Sequence, residues 1–195
     1  MTNLLVIAGS TRSGAFSKQL ARAACALATA AGCGATFVDL RDHAMPLYDG
    51  DLEAAQGLPA AAITLRAMVH VHDAVLVVTP EYNASIPAVL KNALDWLSRP
   101  HAAEPGVSVW KGKVAAIMAS SPGALGGLRG LVHLRQILMN LGVLVITEQF
   151  ALGSAATAFD ANGSLRDAKQ AASVTAVIRR LAEVAGRLGE GSAGE

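Results

Sequence analysis

A chain of 195 residues, 52% of them hydrophobic, suits one compact domain, and at 4% aromatic content its core must be built mainly from Ala, Val, Leu and Ile. A formal charge of +1 supplies no general attraction to nucleic acid or to an anionic membrane, although a local anion site stays open. The opening residues lack a basic leader, and their apolar run is far too short for a secretory signal or a membrane span, so a cytoplasmic location is expected.

Residues 1–9 read as a first buried strand, followed by the loop Gly9-Ser10-Thr11-Arg12-Ser13-Gly14-Ala15-Phe16-Ser17 and a helix over 17–31 with Ser17 at its N-cap. A strand, loop and helix start in this order presents backbone N–H groups and a positive dipole end, and Arg12 adds a permanent charge, so the segment suits a phosphate. The spacing of Gly9 and Gly14 matches half of a nucleotide P-loop, but Ala15 and Phe16 stand where that motif needs Lys and Ser/Thr. The loop is not GxGxxG either, which disfavours a Rossmann dinucleotide turn. Cys25 and Cys33 form no CxxC pair and are expected as free thiols.

A second strand is expected over 35–40, then a long polar loop over 41–59 whose acids Asp42, Asp49, Asp51 and Glu53 read as a solvated face. A helix over 60–72 follows, with His70 and His72 at its end rather than ligating a metal. The Val-rich run 74–79 is a strand covered on both faces, and Pro80 ends it. After Glu81, Tyr82, Asn83 and Ser85, Pro87 opens a helix whose stripe of Val89, Leu90, Ala93, Leu94 and Leu97 faces the core. Lys91 and Asp95 on it stand one turn apart for pairing, and Trp96 reads as packing or a dimer contact.

A fourth strand over 114–119 runs into Ser120-Ser121-Pro122-Gly123-Ala124-Leu125-Gly126-Gly127, where glycines allow close backbone approach to a flat ligand. A helix over 128–141 stops at Gly142, a fifth strand covers 143–146, residues 149–163 read as loop, and a last helix spans 165–188. The domain is expected to end at residue 189, leaving 190–195 as a disordered tail. Strands alternating with helices predict an α/β three-layer sandwich on a parallel sheet.

The stretch PEYNASIPAVLKNALDW, residues 80–96, resembles the PEYN-x-SIP-x-xLKNA-x-DW signature of NAD(P)H-dependent FMN reductases, flavodoxin-like enzymes that include quinone, chromate and azo-dye reductases. Ser10 and Arg12 match that family's GS-x-R-x-x-S loop, residues 120–129 resemble its third flavin loop, and Met45-Pro46-Leu47-Tyr48-Asp49 resembles a loop that shapes the site or a subunit contact. Where members often carry Asn near the helix entrance, this chain has Ser17 and Lys18. The resemblance implies a five-stranded sheet in the order 2-1-3-4-5, which brings the loops after strands one, three and four to a single crevice.

It further implies FMN as cofactor, with NADPH or NADH delivering hydride to the flavin N5 and a quinone, free flavin, chromate or azo compound then taking its place, in ping-pong order. On that reading Ser10, Arg12, Phe16, Ser17 and Lys18 hold the phosphate, Pro80, Glu81, Tyr82 and Asn83 border the ring, and Ser120, Ser121 and Gly123 face its pyrimidine edge. No protein nucleophile is required; Glu81 and Tyr82 are candidates for a general acid, and Arg129, His133 and Arg135 for contacts to a nucleotide phosphate or a neighbouring subunit. A homodimer or homotetramer is expected. The alternatives are a flavodoxin-type electron carrier, to which the nearly neutral charge is ill suited, and a flavin-binding regulatory protein without turnover.

Overall fold

The computed structural model describes the backbone of residues 1–192 and the side chains of residues 1–189. Strands β1 (Asn3–Ala8), β2 (Gly34–Asp39), β3 (Ala74–Thr79), β4 (Val114–Ser120) and β5 (Leu144–Leu152) form one parallel sheet in the order β2-β1-β3-β4-β5. Helices α1 (Phe16–Ala30), α2 (Gly50–Gln56), α3 (Ala60–Val71), α4 (Ala88–Leu97), α5 (Leu128–Asn140) and α6 (Ala168–Ser192) connect and flank them.

Alternation along the strands divides the core in two. Leu4, Val6, Leu76, Val78 and Met118 face α1 and α6, while Leu5, Ile7, Val75, Val77 and Ile117 face α3, α4 and α5. Both faces are covered, so β1, β3 and β4 carry apolar residues at successive positions instead of a polar alternation. Each fully buried Leu or Val in these layers contributes about 1.5–3 kcal/mol. The expected layers, strand number and strand order are those observed.

Local expectations fail at four places. Ala15, in extended conformation, occupies the N-cap of α1, and its carbonyl accepts from Lys18 N at 3.1 Å and Gln19 N at 3.2 Å, so Ser17 lies inside the first turn and caps nothing. The loop expected over 41–59 contains α2, which starts where the Asp49 carboxylate accepts from Asp51 N at 2.9 Å and the Tyr48 hydroxyl donates to Glu53 at 2.9 Å.

Strand β5 runs to Leu152, well past the expected end at 146, and so takes in the start of the loop expected over 149–163. A register shift opposite Ala115 and Ile117 leaves residues 146–148 unpaired with β4, and the Arg135 guanidinium donates to the carbonyls of Val145 at 3.2 Å and Ile146 at 2.8 Å. Finally, α6 begins at Ala168 and continues through Ser192, beyond the expected stop, whereas the side chains of the expected tail and residues 193–195 lie outside the described residues.

The KNALDW segment acts as an anchor. Asn92 Nδ2 and Trp96 Nε1 both donate to the Pro46 carbonyl at 2.8 Å, and Asn92 Oδ1 accepts from Tyr48 N at 2.8 Å. Trp96 is fully buried and meets the Tyr48 ring edge-on at 5.1 Å, which is the packing role expected of it. Lys91 and Asp95 pair at 2.7 Å. At the end of α3, His70 reaches Glu104 at 3.1 Å, and His72 contacts the Met68 carbonyl at 2.7 Å and Thr36 at 2.8 Å. Among the described residues no helix is long and apolar enough to cross a membrane.

Candidate active site

Neighbouring strands β1, β3 and β4 all end on one side of the sheet, and the loops that follow them enclose a cavity of about 250 Å³. Larger hollows of about 550 Å³ between α4 and α5 and about 270 Å³ beside α1 and α6 lie away from that convergence. Open parallel sheets bind ligands beyond their carboxyl ends, at the point where strand order reverses. Here that point is between β1 and β3.

From the first loop come Ser10, Arg12, Phe16 and Ser17. Ser10 Oγ accepts from Arg12 N at 3.3 Å, and the exposed Arg12 guanidinium folds back to Gly14 O at 3.2 Å, 5.7 Å from the centre of the Phe16 ring. Ser17 is fully buried and its hydroxyl has no partner among the described residues. The first turn of α1 contains no acidic residue to compete for its amides. Lys18 does not join this group. It is buried with its ammonium 2.8 Å from Asp39 at the end of β2, an ion pair whose alignment falls short of a hydrogen bond.

The second loop contributes Pro80, Glu81 and Tyr82. Tyr82 and Ser85 exchange backbone hydrogen bonds of 2.9 and 3.0 Å across Asn83 and Ala84, whose φ angles of 51° and 64° make a tight left-handed turn. That turn carries Asn83 outward, away from the cavity lining. Glu81 is committed elsewhere: its carboxylate accepts from Arg129 Nε at 2.8 Å and Gly130 N at 3.1 Å. Desolvation raises its pKa, but the hydrogen bonds from Arg129 and Gly130 and the charge of Arg129 outweigh that and hold it below the usual carboxylate value.

The third loop adds Ser120 and Ser121, while Gly123, whose amide donates to Ser121 Oγ at 3.2 Å, lies outside the lining. Ser120 is 2% exposed and its hydroxyl also lacks a partner among the described residues. At Gly127, with φ of 89°, a Cβ would stand 2.8 Å from the Ala119 side chain, so only glycine lets this loop lie so close to the strand end.

The chain matches the family model described as NADPH-dependent FMN reductase over residues 2–157. It belongs to that family. As a member it is an oxidoreductase of a family defined by FMN and a nicotinamide nucleotide. It is 38% identical over 163 residues to a 2-hydroxy-1,4-benzoquinone reductase of a Burkholderia species, covering 83% of this chain and 84% of that one. An NAD(P)H-dependent FMN reductase of Pseudomonas aeruginosa is 40% identical over 167 residues, 85% of each chain. Among solved structures, the flavoenzyme FerB, an NAD(P)H:(acceptor) oxidoreductase of Paracoccus denitrificans, superposes with a TM-score of 0.82 at 30% identity, covering 96% of this chain and 98% of that one.

The cavity suits the family's cofactor on its own chemistry. Two buried hydroxyls without partners among the described residues, Ser17 and Ser120, line it from α1 and β4, and burying a hydroxyl unpaired costs about 1–3 kcal/mol unless a ligand completes it. Arg12 and the acid-free first turn of α1 match an anion beside Ser17. Nine of the twelve residues expected from the sequence line the cavity, and Lys18, Asn83 and Gly123 do not. Ala15 and Pro122 also line it and were not anticipated, since neither carries a functional group that sequence reasoning would select. The Glu81–Arg129 contact was missed as well, because its partners are 48 residues apart with no local pattern to link them.

Proposed function

We propose that the protein is a cytoplasmic NAD(P)H-dependent quinone reductase, folded as one FMN-binding domain and working in ping-pong order. When bound, FMN supplies the redox chemistry, taking a hydride from NAD(P)H and passing the reducing equivalents to a quinone. The protein's residues position and shield. Ser10, Ser17, Arg12 and the first-turn amides of α1 hold the phosphate, with Phe16 packed beside Arg12. Pro80 and Tyr82 border the ring, and Ser120 and Ser121 meet its polar edge.

Half-exposed Tyr82 gives the cavity mouth an aromatic edge suited to a flat aromatic acceptor. Glu81, held ionised by Arg129, is not the proton donor, and solvent supplies the proton that completes quinone reduction. Exposed Leu128, Val132 and Met139 on α5 favour a homo-oligomer.

The observation that carries this reading is a pair of buried hydroxyls with no partner among the described residues, Ser17 in the first turn of α1 and Ser120 at the end of β4, lining one cavity. Purified protein should show a flavin absorption spectrum that bleaches anaerobically on adding NADPH or NADH, and initial rates with a quinone should give parallel double-reciprocal lines. Arg12→Ala should weaken FMN binding about tenfold or more, by loss of a charge-assisted contact. Protein that takes up no flavin from excess FMN would end this reading; bound flavin that is bleached without quinone turnover would favour an electron carrier.

A further inference from the structure

Glu81 serves a helix other than its own. Helix α5 follows an N-cap Gly127 with no side-chain cap and has no acidic residue in its first turn, so beyond Leu128 N, which donates to Leu125 O at 3.0 Å, its leading amides and positive end gain no acceptor from a local side chain. The partner arrives from the loop after β3. One Glu81 oxygen accepts from Gly130 N and the other from Arg129 Nε, and the Arg129 Nη2 closes a forked ion pair on the same carboxylate. A capping box makes this contact from within a helix; here it spans 49 residues.

The fit is close on both sides. A Cβ on Gly130 would lie 3.3 Å from Ser85 O and 3.6 Å from Glu81 Cβ, and one on Gly127 would also lie 3.6 Å from Glu81 Cβ. The first turn of α5 therefore rests directly on the Tyr82–Ser85 turn. The pair is also oriented: the Glu81 side chain is 7% exposed on a residue lining the cavity, whereas that of Arg129 is 62% exposed.

We propose that Glu81 is a positioning residue that joins the loops after β3 and β4 into one wall, and that the buried carboxylate and the exposed guanidinium together set the reduction potential of the flavin held there. This rests on the reading of the cavity as the FMN site. A charge beside a flavin shifts its potential, because reduction adds negative charge that a nearby cation favours and a nearby anion opposes. Removing the Glu81 charge leaves Arg129 without its counter-charge and favours reduction. Removing the Arg129 charge does the opposite.

The test compares wild type, Glu81→Gln, Arg129→Gln and the double variant for FMN affinity and the midpoint potential of bound FMN. It adds hydrogen exchange at the Gly130 amide in flavin-free wild type and Glu81→Ala. Expected are weaker FMN binding in Glu81→Gln, whose neutral amide no longer holds the two loops together by charge, a raised potential in Glu81→Gln, a lowered one in Arg129→Gln, and a double variant nearer wild type than either. Gly130 should exchange at least about tenfold faster in Glu81→Ala. A loss of packing alone would move both single variants the same way, and that result, or unchanged potentials, would overturn the electrostatic role. Unchanged Gly130 exchange would overturn the positioning role. Wild type that binds no FMN would instead end the assignment of the cavity, and the exchange experiment would still decide whether Glu81 joins the two loops.

Discussion

Substituting Gly127 by Ala tests how closely the third loop must approach the sheet. The residue has φ of 89°, where an L side chain costs about 1–2 kcal/mol. The new Cβ would stand 2.8 Å from Ala119 Cβ, a fully buried atom on a central strand that cannot swing aside, so an overpacking cost of about 1–3 kcal/mol is added. Together these give about 2–5 kcal/mol. At about 2–4 °C per kcal/mol for a domain of this size, the Tm should fall by roughly 4–20 °C. Gly142→Ala is the internal control: its φ is 86°, but nothing lies within 4 Å of the added Cβ, so only the conformational cost of about 1–2 kcal/mol remains. Chemical denaturation of both variants against wild type separates the two contributions. If Gly127→Ala were no less stable than Gly142→Ala, the close approach would carry no energetic weight and the packing account of this loop would be wrong.

Asn92→Ala should cost about 1–3 kcal/mol in urea denaturation, because it leaves the Tyr48 amide without its acceptor and removes one of two donors to the Pro46 carbonyl. Cys25 has its thiol pKa pushed up to about 11 by burial, only partly countered by Arg22, so at pH 8 roughly one thiol in a thousand is ionised. Iodoacetamide followed by mass spectrometry should therefore label it far more slowly in the folded protein than in urea. Glu81 has a folded pKa below its unfolded value near 4.5, so its contribution to stability is complete above pH 4.5 and is lost as pH falls through the folded pKa. The stability difference between wild type and Glu81→Gln should accordingly shrink below pH 4.5, and a constant difference across that range would show that the ionised form is not what stabilises.

Whatever depended on a continuous run of residues was legible in advance. The run 74–79 is all apolar because helices cover both of its faces, and its bounds are those of β3. Pro87 before α4 and Gly142 after α5 mark their helix ends in the same local way. Strand β5 was half missed because it lies at the sheet edge, where exposed Thr147, Glu148 and Gln149 break the apolar pattern that reveals the inner strands. Lys18 stands apart from the cavity lining for a different reason. A cation one position past a phosphate-type loop reads as a ligand, and nothing local shows that Asp39, on a neighbouring strand, claims it. Helix α2 is short and has no buried residue, so no hydrophobic period announces it, and its one local signal is Asp49 as N-cap ahead of an acidic first turn.

The irregular segment of β5 matters for the fate of the protein at high concentration. An outermost strand normally offers a straight row of free peptide groups on which another chain can align. In this sheet the pairing is irregular at residues 146–148, and the Arg135 guanidinium is bound to the carbonyls of Val145 and Ile146 there. An incoming strand would have to expel a guanidinium and accommodate the irregularity before it could add on, so crowding should not readily turn this border into a seed for fibrous stacking.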